Sequence, residues 1–176
     1  MSEVSQEERL YYAVLESLHS SFTPHEGQVP IGNAIFNDGF KRVFVRCGRN
    51  FGKSVFATYC CSRYALLNPD SRVYYFAPLY KQVKDIVWYP RLLQSFIDPT
   101  FVDRTDNQDA RIFLKNGSFI KLDGSDNYET QRGYKPDFVV ADEFAEFNEY
   151  WLNVMIPNLA ARDATIMFIG TFLCRS

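Results

Sequence analysis

Between an apolar run, Val43-Phe44-Val45, and a stretch of helical character stands Arg46-Cys47-Gly48-Arg49-Asn50-Phe51-Gly52-Lys53-Ser54. This order suits the binding of phosphate. A strand delivers a tight turn whose amide N–H groups wrap anionic oxygens, and the following helix points its partial positive end at the same anion. Gly48, Arg49, Asn50, Phe51 and Gly52 would line the phosphates, with Gly52 allowing close backbone approach. The Lys53 ammonium would reach the β- and γ-phosphates of ATP, and the Ser54 hydroxyl would complete a Mg²⁺ shell. The pattern G-x-x-x-x-G-K-[ST] asks for glycine where Cys47 stands, and Gly48 comes one place late, so the loop is a deviant form. By itself a Gly-Lys-Ser tripeptide also describes an ordinary helix start with an exposed lysine.

A second feature gives the loop its meaning. Asp137-Phe138-Val139-Val140-Ala141-Asp142-Glu143 is a buried-strand pattern ending in two consecutive carboxylates, about 90 residues beyond Lys53. P-loop ATPases place their Walker B strand there. Asp142 would hold Mg²⁺, usually through its water, while Glu143 would polarise the water that attacks the γ-phosphorus. Adjacent carboxylates at a strand end point in different directions, which suits two roles.

Composition bounds the setting. A chain of 176 residues has the size of one domain, and 47% hydrophobic with 16% aromatic residues supplies a core. No run approaches the ~20 apolar residues of a membrane span, and the N-terminus is acidic rather than a signal peptide. These features indicate a soluble intracellular protein without membrane partners. The four cysteines, Cys47, Cys60, Cys61 and Cys174, show no C-x-x-C spacing and are expected to be reduced thiols, and two histidines make a His-based metal site improbable. A net charge of −2 argues against coating nucleic acid by bulk attraction. It leaves room for a local basic surface, as Arg42, Arg46, Arg49 and Lys53 cluster around the loop. Lys81, Lys84 and Arg91 read most simply as a solvated helix face.

Strand and helix patterns alternate without repeats, predicting an α/β fold with a mainly parallel sheet flanked by helices. Helices are expected over residues 5–18, 54–67, 80–97 and 149–159, with Pro90 kinking or dividing the third and Pro157 disturbing the last. Strands are expected at 43–45, 72–77, 137–141 and 165–169. Residues 111–115 and 118–122 flank Asn116-Gly117 and predict a β-hairpin insertion.

An extra strand between the Walker A and Walker B strands, and a glutamate directly after the Walker B aspartate, are traits of the additional-strand, catalytic-glutamate class of P-loop NTPases. Within it the chain resembles the ATPase domain of the large terminase subunit of tailed double-stranded DNA bacteriophages. The resemblance rests on ordered motifs over residues 22–172: residues 23–28, the loop with Arg49, the segment 77–88, Gly124-Ser125-Asp126-Asn127, and Arg132-Gly133-Tyr134-Lys135-Pro136-Asp137 leading into Asp142-Glu143.

That resemblance implies further roles. Gln28 would read the adenine edge, or belong simply to a polar turn around Pro24 and Gly27. Arg49 would stabilise or sense the γ-phosphate. Arg132 would be a finger reaching a neighbouring subunit's nucleotide, its planar guanidinium suiting spread phosphoryl charge, or form a surface salt bridge. Thr171 after Gly170 resembles the coupling motif, although family members often carry proline where Phe172 stands here; the alternative is a polar strand end. The implied activity is ATP hydrolysis by a homo-oligomeric ring that drives double-stranded DNA into a procapsid, with the portal protein and small terminase subunit as partners. The implied place is the host cell cytoplasm, not the mature virion. One ATPase domain is expected over 1–176, an N-terminal helix over 1–21 and a core over 22–176, without the family's nuclease domain. The chain reads as an ATPase core from a longer polypeptide, or the product of a disrupted gene. The competing readings are a helicase-like nucleic-acid-remodelling ATPase and a non-catalytic nucleotide-dependent binding module.

Overall fold

The computed structural model describes residues 5–171. Its centre is a seven-stranded sheet in the order β1-β7-β6-β2-β5-β4-β3. The strands are β1 Arg42–Cys47, β2 Arg72–Ala77, β3 Val102–Asp106, β4 Arg111–Leu114, β5 Phe119–Gly124, β6 Phe138–Ala141 and β7 Thr165–Thr171. Neighbours from β1 to β5 run parallel, and β4 and β3 add antiparallel pairs at one side. In space, β7 lies between β1 and β6.

Alternation along the central strands explains the layers. Val73, Tyr75 and Ala77 of β2, Phe138 and Val140 of β6, and Met167 and Ile169 of β7 enter one core, which also receives Phe56, Ala57, Cys60 and Cys61. Tyr74 and Phe76, Val139 and Ala141, and Ile166 and Phe168 face the opposite core around Trp151 and Met155. A strand covered on both sides needs apolar residues at every position, so β6 reads as a continuous run rather than an alternating one. Each large side chain buried here contributes about 1.5–3 kcal/mol.

The helices are α1 Gln6–Ser21, α2 Val29–Phe36, α3 Lys53–Leu67, α4 Tyr80–Val83, α5 Leu92–Ser95 and α6 Trp151–Ala160. A capping box starts α1: the Ser5 hydroxyl accepts from the Glu8 amide, and the Glu8 carboxylate accepts from the Ser5 amide. α3 begins at Lys53 and stops at Asn68, whose side chain donates to the Tyr64 carbonyl. Cys47, Cys60 and Cys61 are free thiols among the described residues; Cys174 lies outside them.

One expected helix is divided. Residues 80–97 split into α4, a π-helical turn Lys84–Trp88, and α5. Pro90 lacks an N–H and crowds the preceding turn; the ladder widens before it, with the Tyr89 amide donating to the Lys84 carbonyl at 2.8 Å. Arg91 then takes φ 58°, and the helix restarts at Leu92. The expected hairpin forms between β4 and β5, with Gly117 at φ 85° closing its turn. β3 extends it to three strands.

Two connections after the parallel strands are tied together. Asp126 Oδ1 accepts from the Tyr80 amide at 3.0 Å, and the Ser125 hydroxyl donates to the Pro78 carbonyl at 2.9 Å. Gly124 permits this approach, since a Cβ there would lie 2.2 Å from the Tyr80 nitrogen. Among the described residues no helix is long and apolar enough to cross a membrane.

Candidate active site

β1 ends at Cys47, and the chain turns through residues 48–52 before α3 begins. Asn50 and Gly52 adopt φ 63° and 76°, the left-handed region that glycine enters freely and asparagine tolerates. Gly48 needs no such freedom: open space surrounds it and its φ is ordinary. The first amides of α3 have no partners within the helix and point out of its end. Lys53 Nζ spans the turn and donates to the Gly48 carbonyl at 2.9 Å. Arg49 is exposed on the same turn.

Residues 24–28 brace this turn. Gln28 is 2% exposed; its Nε2 donates to the Phe51 carbonyl at 3.2 Å and its Oε1 accepts from the His25 amide at 3.2 Å. His25 Nε2 also meets the Phe51 carbonyl at 3.0 Å, and the His25 and Phe51 rings pack edge to face at 4.8 Å. Gly27 leaves room for that ring, since a Cβ there would come within 2.9 Å of it.

β6 delivers the two carboxylates beside the turn. Asp142 is 5% exposed, and its Oδ2 accepts from both the Ser54 hydroxyl at 2.7 Å and the Tyr75 hydroxyl at 2.5 Å. Burial pushes the Asp142 carboxyl above its usual range, opposed by the Tyr75 and Ser54 hydrogen bonds and reinforced by the Glu143 charge. Burial likewise holds the Tyr75 phenol well above its ordinary value, so it remains a protonated donor. Asp142 Oδ1 is buried without a hydrogen-bond partner. An orphaned carboxylate oxygen next to a hydroxyl is an all-oxygen donor pair, and it fits a hard divalent cation such as Mg²⁺.

Glu143 turns away from the strand at φ 52°, and its Oε1 accepts from the Thr171 hydroxyl. Non-glycine residues in this region cost about 1–3 kcal/mol and gather at functional sites. Thr171 reaches it because β7 pairs in parallel with β6, Phe168 standing opposite Ala141, while on its other side Thr171 stands opposite Cys47 of β1. Phe172 lies outside the described residues.

The structure therefore brings Lys53, Ser54, Asp142, Glu143 and Thr171 to the carboxyl ends of β1, β6 and β7, with Gln28 behind the loop. Arg132 stands outside this cluster. It is exposed on the 3₁₀ segment Ser125–Gly133, in a cleft shared with Tyr128, Glu129, Tyr150, Asn153 and Val154. Its neighbour Gln131 is fully buried, donating to the Gly124 carbonyl at 2.7 Å and accepting from Trp151 Nε1 at 3.0 Å. Sequence reasoning misses Tyr75, His25 and Gln131. The available signal is Tyr75 itself: a tyrosine inside a strand apolar on both faces must find an acceptor for its hydroxyl.

No family model matches the sequence. The large terminase subunit of Escherichia phage T5 is 31% identical over 154 residues, which is 85% of this chain. The chain is a relative of the phage large terminase. It spans 34% of that relative's length. The large terminase ATPase domain of Thermus phage P74-26 superposes with a TM-score of 0.71 at 22% identity, covering 94% of this chain and 68% of that one. The HK97 bacteriophage large terminase gives 0.73 at 11% identity, over 92% of this chain and 37% of that one. The large terminase of another, thermophilic bacteriophage, solved in complex with ATP-gamma-S, gives 0.66 at 13% identity, over 84% of this chain and 38% of that one. These structures show that the α/β sheet described above is the fold of the terminase ATPase domain.

Proposed function

We propose that this chain is the ATP-hydrolysing motor domain of a viral DNA-packaging terminase, coupling hydrolysis to translocation of double-stranded DNA into a procapsid. The observation that carries this reading is the convergence of Ser54 and Asp142 at 2.7 Å beside a left-handed loop closed by Lys53. The α3 amides, Lys53 and the loop residues 48–52 hold the triphosphate of ATP, in keeping with the ATP-gamma-S complex of the thermophilic phage's large terminase, and Gln28 contributes on the adenine side. Ser54 and Asp142 hold Mg²⁺, which when bound neutralises charge on the β- and γ-phosphates. Glu143 orients water towards the γ-phosphorus and takes its proton as the bond to the bridging oxygen breaks. Arg49 meets charge developing on the γ-phosphoryl group. Thr171 ties the end of β7 to Glu143, so a change at the base is felt by the strand beside β1. Arg132 acts on a neighbouring subunit's ATP in a homo-oligomeric ring.

The described residues then form one ATPase core preceded by a helix, working in the host cytoplasm with DNA, portal protein and small terminase subunit as partners. Phosphate release measured with and without double-stranded DNA and portal tests this. Turnover that rises when both are present is expected. Turnover indifferent to both would remove the motor function, and no turnover under any condition would leave a nucleotide-binding module.

A further inference from the structure

We propose that Tyr75 is a positioning residue for the Mg²⁺ site, acting through Asp142; this rests on the reading of Asp142 and Ser54 given above. Tyr75 is 1% exposed in the middle of β2 and stands opposite Val140 of β6 in the parallel register. Side chains two residues apart on a strand share a face, so Tyr75 and Asp142 lie on the same side of the sheet. The rise over two residues is about 6.6 Å, a distance a phenol can span. Its hydroxyl accordingly reaches Asp142 Oδ2 at 2.5 Å, on the side where α3 brings Ser54 Oγ to the same oxygen at 2.7 Å.

The division of donors is the telling feature. If these hydroxyls served only to solvate a buried carboxylate, they would be shared between its oxygens. Both instead go to Oδ2, while Oδ1 is buried with no hydrogen-bond partner. Two converging donors fix the plane of the carboxylate and reserve its second oxygen. Ser54 is itself offered to the metal, so Tyr75 is the donor whose sole described task is to hold Asp142 in place. Phenylalanine would fill the same space in the core; the hydroxyl is what the packing does not require.

Calorimetric titration of ATP-gamma-S across a Mg²⁺ series, in the parent chain and in Tyr75→Phe, tests the proposal. The half-saturating Mg²⁺ concentration should rise about 10-fold or more in Tyr75→Phe, the usual consequence of removing a hydrogen-bond partner from a metal ligand. Affinity without Mg²⁺ should stay at the parent's value, and excess Mg²⁺ should restore binding, which it would not do for a misfolded site. An identical Mg²⁺ dependence in both chains overturns the proposal. Should Tyr75→Phe fail to fold, Tyr75→Met is measured in the same way, and failure of both to fold assigns the hydroxyl to core stability and also overturns it. A parent chain that binds the analogue equally with and without Mg²⁺ defeats the underlying metal reading, and this inference with it.

Discussion

At the level of single side chains, the proposed function assigns some groups of the site to binding and others to reaction. Lys53 closes its own loop through the Gly48 carbonyl, which marks it as the cation that a bound triphosphate would draw onto itself. Lys53→Ala should sharply weaken binding of a non-hydrolysable ATP analogue, because the anion loses a charge-assisted partner; unchanged affinity by calorimetry would sink the assignment. Glu143 differs, being turned out of the strand and held by the Thr171 hydroxyl. Glu143→Gln keeps the size and removes the base, so nucleotide should still bind while turnover falls by about 10²-fold or more. Comparable turnover in both chains would assign the water to another residue. Lys53, Ser54, Asp142 and Glu143 are legible in the sequence because their spacing follows from a strand-turn-helix and a strand end, both local patterns. Tyr75 is not, since its partner is 67 residues away and a tyrosine in an apolar run reads as core.

The elements show the same boundary between local and distant causes. α1 and α3 are readable because capping residues and a stop at Asn68-Pro69 mark their ends. The hairpin is readable from Asn116-Gly117. The stretch 80–97 carries its own break signal in Pro90, and the structure divides it into two short helices and a π turn. β3 and α2 escape notice for want of periodicity: Val102–Asp106 is mostly exposed, and Val29–Phe36 is only eight residues long. What holds the divided segment in place is a junction invisible in one dimension, where Gly124 and Asp126 meet the start of α4. Gly124→Ala should therefore cost about 1–3 kcal/mol, since its Cβ would meet not only the Asp126 carboxylate at 2.0 Å but also backbone that cannot swing away, the Tyr80 nitrogen at 2.2 Å and the Leu79 carbonyl carbon at 2.8 Å. Urea denaturation monitored by circular dichroism reads this directly, and a midpoint equal to the parent's would show that the junction gives way without cost.

For the molecule as a whole, the order of strands cannot be read from the sequence, because β7 inserts between β1 and β6 only once the crossovers have been made. That insertion puts Thr171 against Glu143. Arg132 lies apart, exposed on the segment that follows β5 and lining a cleft that shares no residue with the loop 48–52. The role proposed for a guanidinium so placed is to meet the nucleotide of an adjacent subunit. If it does, Arg132→Ala must abolish turnover without weakening nucleotide binding at its own site, because the arginine belongs to its neighbour's transition state. Specific activity of the parent chain should rise with protein concentration as subunits assemble. Mixing Arg132→Ala with Glu143→Gln should restore part of the activity, since some interfaces then pair an intact Glu143 with an intact Arg132. Failure of every mixture, with assembly verified by sedimentation, would return Arg132 to its own subunit's chemistry or to a structural contact. Full turnover by a monomer, independent of concentration, would defeat the ring altogether.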